Sequence, residues 1–278
     1  MSVQKIKIKP VKQRAGAMAV NTALEDVVQK NSLLDFNHVM SLSGGEVVKQ
    51  AVPERNTVRL CLKSAEGPFE AFLKRHYPLP LLGICSQILK LCRPKTAFDE
   101  FRSITAFHRA GIATMTPVAA GKRRCAFWGT ESFLVTKAIA ESQRLDHLFN
   151  RASDLPAEEK RDLVKRVALL VKKMHACGFN HRDLYLCHIL LDRQGQLFLV
   201  DLHRVDHRQK VPERWKVKDI AALNYSAPGP VITRTDRLRF LKAYLGKNRL
   251  SSREKLFVLK VLKKTQKMLK HNRNRERL

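Results

Sequence analysis

The sequence contains no uncharged hydrophobic run long enough to cross a membrane as a helix. The uncharged stretch of residues 77–89 (YPLPLLGICSQIL) is shorter than the ~20 residues that a spanning helix needs, and it contains two prolines. The basic N-terminus (MSVQKIKIKP) is not followed by an apolar segment, so we expect no secretory signal. These absences predict a protein that is soluble or lies on a membrane surface.

Cysteine pairs at the spacing of a metal site or a redox motif are also lacking. The six cysteines of the 278-residue chain include no C-x-x-C pair and form no compact framework. A chain of this length with 44% hydrophobic residues has enough apolar side chains for a sizeable core. We therefore expect reduced thiols and a cytosolic protein.

Acidic residues are scarce relative to basic ones. The chain has 53 Lys and Arg against 25 Asp and Glu, which gives a formal net charge of +28. A charge of this size attracts polyanions, either a nucleic acid or an anionic lipid surface, and says nothing about the fold. Each basic residue held near an anionic leaflet contributes about 1 kcal/mol, so several together suffice for attachment to a membrane surface.

The order of the predicted elements indicates a strand-rich first half and a helical second half. Two short β-rich runs, 57–62 and 69–74, flank a Gly-Pro turn and predict a hairpin. Apolar residues at helical spacing predict helices over 96–110 and 156–177, each followed by a glycine. Such segregation is typical of an α+β fold in two lobes.

This pattern divides the chain into four predicted segments. They are a basic extension at 1–35, a strand-rich lobe at 36–139, a helical lobe at 140–250 and a basic amphipathic helix at 251–278. The lysines of the last segment fit an anionic membrane surface, while its apolar side chains fit docking onto the second lobe. We keep both interpretations, and we expect the uncharged run 77–89 to form an interfacial patch that dips toward lipid.

The stretch FNHRDLYLCHILL, residues 179–191, contains the strongest functional signal. His181-Arg182-Asp183, with His188 five residues after the aspartate, matches the kinase catalytic-loop pattern H-R-D-L-x-x-x-N at every fixed position except the last. Transfer of phosphate to a hydroxyl needs a carboxylate that orients the hydroxyl and receives its proton, and Asp183 is our candidate. We expect His181 to form structural hydrogen bonds and Arg182 to position the loop.

Further elements of an ATP-dependent kinase site occur in the required order. Asp201 ends the next hairpin in the sequence DLH and fits the metal-binding Asp of D-F-G. Lys74 ends a strand of the first half and Glu100 lies on the helix that follows, so the two predict the ion pair that holds the nucleotide phosphates. Gly44 and Gly45 precede the hairpin and are our candidates for the phosphate-covering loop, although they lack the G-x-G-x-x-G spacing.

The role of His188 stays open at this point. Mg²⁺ prefers oxygen ligands, so His188 either binds the metal beside Asp201 or hydrogen-bonds Asp183 or a phosphate. The histidines also suggest a rival zinc site formed by His181, His188, His203 and His207. We disfavour zinc because two carboxylates at the kinase positions suit a hard cation and no cysteine pair supports zinc.

Longer stretches of the chain resemble the lipopolysaccharide kinase family, specifically its heptose(I) kinases of the RfaP/WaaP type. The stretches are GEVVKQ, RNTVRL, FLKRHYP, FDEFRSITAFHRAGIATMTPVAAG, FLVTKAI, MHACGFNHRDLYLCHILL, LVDLHRV, VPERWKVKDIAALNYSA and TRTDRLRFLKAYLG, which lie between residues 36 and 246. A histidine at position 188 and the sequence DLH from Asp201 are features of this family. The longer basic N-terminal segment is a departure from it.

The resemblance implies a protein-kinase-like fold that uses ATP with Mg²⁺ to phosphorylate a sugar hydroxyl of the lipopolysaccharide core. It also implies nucleotide contacts at Thr136 and Ile139, around a hinge where Lys137 replaces the usual acidic residue. By analogy with kinases, Asp219 accepts backbone hydrogen bonds from the catalytic loop; the alternative is a plain charge near a helix start.

The expected partners are a lipid-linked core acceptor and the anionic cytoplasmic face of the bacterial inner membrane, with no specific nucleic acid. Within enzymes, the alternatives are a Kdo or other lipid-linked sugar as acceptor, or a protein hydroxyl. Outside enzymes, a basic nucleic-acid-binding pseudokinase would also explain the charge. The sequence does not set the oligomeric state.

Overall fold

The structure, a computed structural model, divides the chain into two compact units, residues 1–140 and 141–278. It describes residues 6–13, 16–43, 45–52, 54–78, 95–125, 129–151, 156–229 and 231–275. The first unit is built on an antiparallel sheet and the second mainly on helices. The predicted α+β fold, with a strand-rich first lobe and a mainly helical second lobe, is confirmed.

The first unit contains a seven-stranded antiparallel sheet in the order β1-β2-β6-β7-β5-β4-β3. Its strands are β1 (Ile8–Gln13), β2 (Gly16–Asn21), β3 (Glu46–Val52), β4 (Arg55–Leu62), β5 (Phe69–His76), β6 (Thr116–Arg124) and β7 (Thr130–Lys137). Its helices are α1 (Glu25–Lys30), α2 (Phe36–Ser41) and α3 (Ala97–Arg109). The predicted hairpin is β4–β5, and strand β5 lies between β4 and β7, so Lys74 stands well inside the sheet.

The structure corrects the prediction that residues 1–35 form an extension. Strands β1 and β2 form a hairpin that pairs with β6, and this segment delivers Met18, Val20, Val27, Val28 and Leu33 to the core of the first unit. The signal was present in QKIKIKPVK, where lysines alternate with apolar residues. Lysines and Pro10 in β1 suit an edge strand because they discourage pairing with another chain.

Helix α3 forms where the spacing of its aromatic residues predicts it. Its N-terminus has a capping box, in which the side chains of Thr96 and Asp99 each accept a hydrogen bond from the other's backbone N–H. The buried face packs on β6 and β7. The helix ends at Arg109, and Ala110 caps it before Gly111, which has a φ of 65°. Because Glu100 lies in the first turn, the capping box fixes its position along the sheet.

The second unit consists of five helices and five short strands within its described residues. The helices are α4 (Leu145–Asn150), α5 (Ala157–Ala176), α6 (Glu213–Ser226), α7 (Arg234–Leu245) and α8 (Ser252–Arg275). The strands are β8 (Gln143–Arg144), β9 (Phe179–Asn180), β10 (Ile189–Leu191), β11 (Leu197–Leu199) and β12 (Asp206–His207). Strands β11, β10 and β8 form one sheet, and β12 pairs with β9.

Two helix predictions for this unit are confirmed. Helix α5 occupies the predicted range, ends before Gly178 with its φ of 83°, and packs against α7. Helix α8 docks on α6 and α7 through buried Phe257, Val261 and Thr265, with Phe257 stacked on Tyr244 of α7 and Thr265 against α6. The docking interpretation of the C-terminal helix is therefore confirmed. The hydroxyl of Thr265 accepts a hydrogen bond from the Asn224 amide at 3.1 Å.

Of the predicted interfacial patch 77–89, residues 79–89 lie outside the described residues. In the described ranges, no helix combines the length and the apolar character that crossing a membrane requires.

Candidate active site

The predicted ion pair of Lys74 and Glu100 is present in the first unit. The Nζ atom of Lys74 on β5 lies 2.7 Å from Oε1 of Glu100 on α3. Glu100 is fully buried, and its Oε2 atom has no hydrogen-bond partner among the described residues. The Lys74 side chain is 21% exposed, so a buried carboxylate holds an amine that a ligand can reach.

Gly45, one of the two glycines predicted to cover phosphates, packs closely against strand β4. Gly44 lies outside the described residues, and Gly45 immediately precedes β3. A Cβ atom at Gly45 would lie 2.2 Å from the carbonyl oxygen of Arg59. Close packing against β4 therefore explains a glycine at this position, and the phosphate contact stays a prediction.

The two residues predicted to contact the nucleotide near the hinge lie on strand β7 and just after it. Thr136 is buried and pairs with Phe72 of β5, while Ile139 follows the strand and is half-buried. The ammonium of Lys137 lies 4.7 Å from the centre of the Phe69 ring. This cation–π contact gives the lysine in the hinge a structural role.

In the second unit, a buried carboxylate holds the catalytic loop. Asp219 on α6 accepts hydrogen bonds from the backbone N–H groups of His181 and Arg182, both at 2.7 Å, and from Nε2 of His175 at 3.2 Å. Arg182 has a φ of 70°, which a non-glycine residue rarely adopts. The analogy-based prediction for Asp219 is confirmed, and the two backbone bonds explain how the loop keeps this conformation.

His181 and Arg182 are positioned by the protein itself. His181 is fully buried, its Nε2 atom lies 3.0 Å from the carbonyl oxygen of Val200, and burial lowers its pKa below the ordinary value. Arg182 pairs with Asp206 at 3.2 Å and lies over the Trp215 ring. These contacts suit structural roles, as expected from the sequence.

The carboxylate of Asp183 contacts a guanidinium that the sequence analysis did not select. Nη1 of Arg204 lies 2.9 and 3.0 Å from the two oxygens of Asp183. The Asp183 side chain is 16% exposed, so it remains reachable from solvent. An arginine that contacts both oxygens fixes the orientation of the carboxylate.

Asp201 lies between two histidines just after strand β11. Its backbone is left-handed, with φ 60° and ψ 58°, and its Oδ1 atom lies 2.8 Å from Nδ1 of His203. Its Oδ2 atom lies 3.5 Å from Nε2 of His188. The predicted hairpin β10–β11 therefore brings His188 and Asp201 together.

The hydrogen bonds of His188 decide which ring nitrogen faces Asp201. Nδ1 lies 2.8 Å from the Asp183 carbonyl, and since a carbonyl only accepts, Nδ1 carries a proton. Burial lowers the pKa of His188, but hydrogen bonds with Cys187 and Asp183 and the charge of Asp201 outweigh it, so the pKa is raised overall. Nε2 is left to face Asp201, either as a proton donor or, when deprotonated, as a metal ligand.

The donor set at Asp201 suits Mg²⁺ in the way kinases bind it. Mg²⁺ is usually held by one or two carboxylates together with substrate phosphates rather than by an all-protein cage. Asp201 offers a hard carboxylate, and His188 adds one nitrogen beside it. Within the described ranges, no group of three or more His, Cys, Asp or Glu side chains is arranged to hold a metal ion.

A buried relay behind the loop also escaped the sequence analysis. Nδ1 of His175 lies 2.8 Å from the hydroxyl of Tyr244 on α7, while its Nε2 faces Asp219. His175 is six residues upstream of His181 on α5, but nothing local indicates that Tyr244 reaches it. Burial and the charge of Asp219 raise the pKa of Tyr244.

Comparison with known proteins places the chain in a family. The model of the lipopolysaccharide kinase (Kdo/WaaP) family matches residues 87–244, more than half of the chain. The chain belongs to this family. Among similar proteins, the lipopolysaccharide core heptose(I) kinase WaaP of Pseudomonas aeruginosa is 39% identical over 183 residues, which are 62% of this chain and 68% of that protein.

Some other similar proteins have lower sequence identity to this chain. The heptose(I) kinase WaaP of Escherichia coli K12 is 34% identical over 76% of this chain and 81% of its own length. A 3-deoxy-D-manno-octulosonic acid kinase of Vibrio vulnificus is 28% identical over 47% of this chain and 52% of its own length. The solved structure of WaaP in complex with acyl carrier protein is 34% identical, with a TM-score of 0.66 over 84% of this chain and 91% of that chain.

Proposed function

We propose that this protein is an ATP-dependent kinase that phosphorylates a heptose hydroxyl of the lipopolysaccharide inner core. The observation that carries the proposal is the similarity to heptose(I) kinases at 34–39% identity over most of the chain, joined to a matching set of catalytic side chains. The similarity to 3-deoxy-D-manno-octulosonic acid (Kdo) kinases is weaker and shorter, which favours heptose over Kdo as the acceptor.

In the proposed reaction, the side chains of each unit have their own task. Asp183 orients the acceptor hydroxyl and receives its proton. Asp201 and His188 would hold Mg²⁺, and the ion would supply positive charge for the ATP phosphates. Lys74, braced by Glu100, binds the α- and β-phosphates. Thr136 and Ile139 are proposed to contact the nucleotide base near the hinge.

The proposal is tested with three acceptors and one altered enzyme. The purified protein is incubated with ATP and Mg²⁺ and with a heptose-bearing core, a core that ends at Kdo, or a protein substrate, and the phosphate position is read by mass spectrometry. We expect phosphate on a heptose and none after Asp183→Asn. Phosphate on Kdo alone, or an unchanged mass of every heptose-bearing core, would contradict the proposal. No ATP turnover together with RNA binding that survives Asp183→Ala would favour the nucleic-acid-binding alternative.

We further propose that helix α8 attaches the enzyme to the anionic cytoplasmic face of the inner membrane. Leu259, Leu262 and Leu269 lie on one side of α8, beside the docked face, and each is 42–51% exposed. The neighbouring side carries Lys260, Lys263, Lys264, Lys267 and Lys270. Exposed leucines next to lysines are typical of helices that lie in a lipid interface.

Vesicle sedimentation tests this attachment. The wild type should bind vesicles that contain an anionic lipid and not neutral ones, and Leu259→Asp with Leu269→Asp should abolish binding without loss of activity on a soluble core. The control is Leu169→Asp, which introduces a charge at an equally exposed leucine on α5. Equal binding by the α8 variant and the wild type would refute the proposal.

We also propose that the chain binds an acyl carrier protein, as the solved relative does. The second unit contains an apolar cavity whose lining includes Phe149, Val167, Leu223, Phe240 and Val261, and such a cavity suits an acyl chain. Calorimetry with acylated and unacylated carrier protein tests this idea. Acyl-dependent binding that Leu223→Trp removes would support it, and equal binding of both forms would contradict the role of the cavity.

A further inference from the structure

A cluster of positive charge surrounds the carboxylate of Asp183 within the second unit. Arg204 contacts both of its oxygens, and Lys218 on α6 lies near enough to Asp183 and Arg204 for both charges to affect its pKa. Arg182 and Arg214 lie 5.0 and 5.6 Å from the centre of the Trp215 ring. Since Asp183 faces the acceptor hydroxyl in the proposed reaction, Arg204 and Lys218 lie on the acceptor side.

Arg182 is already engaged by groups of the protein. Its Nη1 atom lies 3.2 Å from Asp206, and its guanidinium lies over Trp215. Its backbone N–H is bonded to Asp219. It therefore holds the loop and is not available to a ligand.

Lys218 has no carboxylate partner of this kind. Its side chain is half-buried and lies 5.6 Å from the Trp215 ring, and it forms no hydrogen bond or ion pair with any described residue. Burial and the charge of Arg204 lower its pKa. A partly desolvated ammonium that no carboxylate contacts directly is unfavourable, and such groups mark sites where a ligand supplies the missing contact.

Arg204 has donors to spare. A guanidinium has five N–H donors, and Nη1 accounts for the two that face Asp183. Its Nε and Nη2 make no hydrogen bond with the rest of the described chain, and the side chain is 45% exposed. This edge of a guanidinium binds carboxylates and phosphates in a bidentate manner.

We propose that Arg204 and Lys218 bind an anionic substituent, a carboxylate or a phosphate, that the acceptor carries beside the hydroxyl phosphorylated. This inference rests on the proposed function and adds a specificity subsite to it. The bound anion offsets the surplus positive charge and draws the neighbouring hydroxyl to Asp183. The subsite thus selects acidic acceptors over neutral sugars of the same shape.

Steady-state kinetics on matched acceptors test the subsite. The variants are Arg204→Gln, Arg204→Lys and Lys218→Gln, with Arg193→Gln as a control, because Arg193 is 73% exposed and pairs with Glu141 at the surface of the same unit. The acceptors are a heptose-bearing core, the same core with methyl-esterified carboxylates and the same core after removal of its phosphates. The two modified acceptors separate the two sources of the anion.

We expect Arg204→Gln to raise the KM for the native core about 10- to 100-fold, because a charge-assisted hydrogen bond is lost, while the KM for ATP changes little. A smaller fall in kcat should accompany it on every core, because Arg204 also orients Asp183. Lys218→Gln should raise the KM for the native core by a smaller factor. Arg204→Lys keeps the charge, so its KM should lie between those of the wild type and Arg204→Gln. Arg193→Gln should leave the KM unchanged. On the modified core that lacks the bound anion, the wild type and Arg204→Gln should have the same raised KM for the acceptor.

Two results would overturn the inference. A fall in kcat with unchanged KM for the acceptor would place Arg204 on the transferred phosphoryl group instead. If Arg204→Gln raised the KM by the same factor on all three cores, no anion of the acceptor would be bound at Arg204. Failure of the wild type to phosphorylate any heptose-bearing core is a separate result, because it refutes the proposed function itself.

Discussion

The two units hold their key side chains in different ways. In the first unit, a single 2.7 Å contact joins Lys74 to a fully buried Glu100 that has one oxygen without a partner. In the second unit, Asp219 accepts three hydrogen bonds, and the loop it holds is bonded elsewhere as well. In the first unit, one amine stabilises the buried carboxylate of Glu100. In the second unit, several hydrogen bonds together stabilise the buried carboxylate of Asp219.

This comparison teaches that the two units should respond differently to neutral substitutions. Removing one partner of an isolated buried ion pair destabilises the fold, because the other charge stays buried without a partner. Removing one acceptor from a dense network leaves most of its bonds in place, but any orphaned backbone N–H is still unfavourable.

The largest effect is expected for Lys74→Met. Loss of the amine removes the proposed electrostatic contact to the ATP phosphates, which should reduce kcat/KM for ATP about 10²- to 10³-fold. It also leaves Glu100 buried and unpaired, which should lower the free energy of unfolding by about 3–5 kcal/mol. ATP kinetics and urea unfolding measure the two effects.

The control for this substitution separates stability from catalysis. Lys74→Met combined with Glu100→Leu should recover most of the stability and none of the activity, because an apolar pair replaces the buried charge. Lys63→Met, at an exposed site after β4, should change neither. Full stability in Lys74→Met alone would show that the first unit does not depend on this contact.

Glu100→Gln should reduce activity and spare stability. The neutral amide holds the Lys74 amine less firmly, so kcat/KM for ATP should fall about 10- to 100-fold, the worth of one charge-assisted hydrogen bond. The free energy of unfolding should change by less than about 1 kcal/mol, since a buried carboxylate with an unpartnered oxygen is no longer present. A loss of stability as large as that of Lys74→Met would contradict the comparison.

Asp219→Asn should lower both the stability and kcat, and it should leave the KM for ATP unchanged. An amide has one oxygen, so one of the two backbone N–H groups of the loop loses its acceptor, which should cost about 1–3 kcal/mol of unfolding free energy. The left-handed backbone at Arg182 is then held less firmly, and kcat should fall while the KM for ATP stays unchanged. Equal losses of stability in Asp219→Asn and Asp206→Asn would argue against a special role for the buried acceptor.

Local patterns were enough to predict the side chains that perform the proposed chemistry. Asp183, Asp201 and Lys74 each follow a short run with a recognisable spacing, and α3 carries Glu100 because its capping residues and aromatic spacing define one helix. The pairing of Lys74 with Glu100 could be predicted because a strand and the next helix are adjacent in the chain order of this fold.

The remaining features depend on contacts between distant segments. Strand β2 was missed because its role comes from pairing with β6, about a hundred residues later. The close packing of Gly45 against β4 could not be predicted, because the sequence does not show where two backbones approach each other. Arg204 and Lys218 look like ordinary surface charges in a basic sequence until the fold brings both beside Asp183.

The smallest effect is expected for Tyr244→Phe, at the far end of the relay behind the catalytic loop. The substitution removes the hydroxyl 2.8 Å from His175 and keeps the ring, which stacks between Phe240 and Phe257. Because Asp219 only accepts, Nε2 of His175 carries a proton whether or not the tyrosine is present. The loss should therefore be that of one buried hydrogen bond, about 1 kcal/mol of unfolding free energy, with kcat nearly unchanged. Urea unfolding and kcat measured on the same sample check this, with Tyr225→Phe as the control. A fall in kcat as large as that of Asp219→Asn would mean that α7 controls the loop through the relay, and that the network of the second unit is no more tolerant than the single pair of the first.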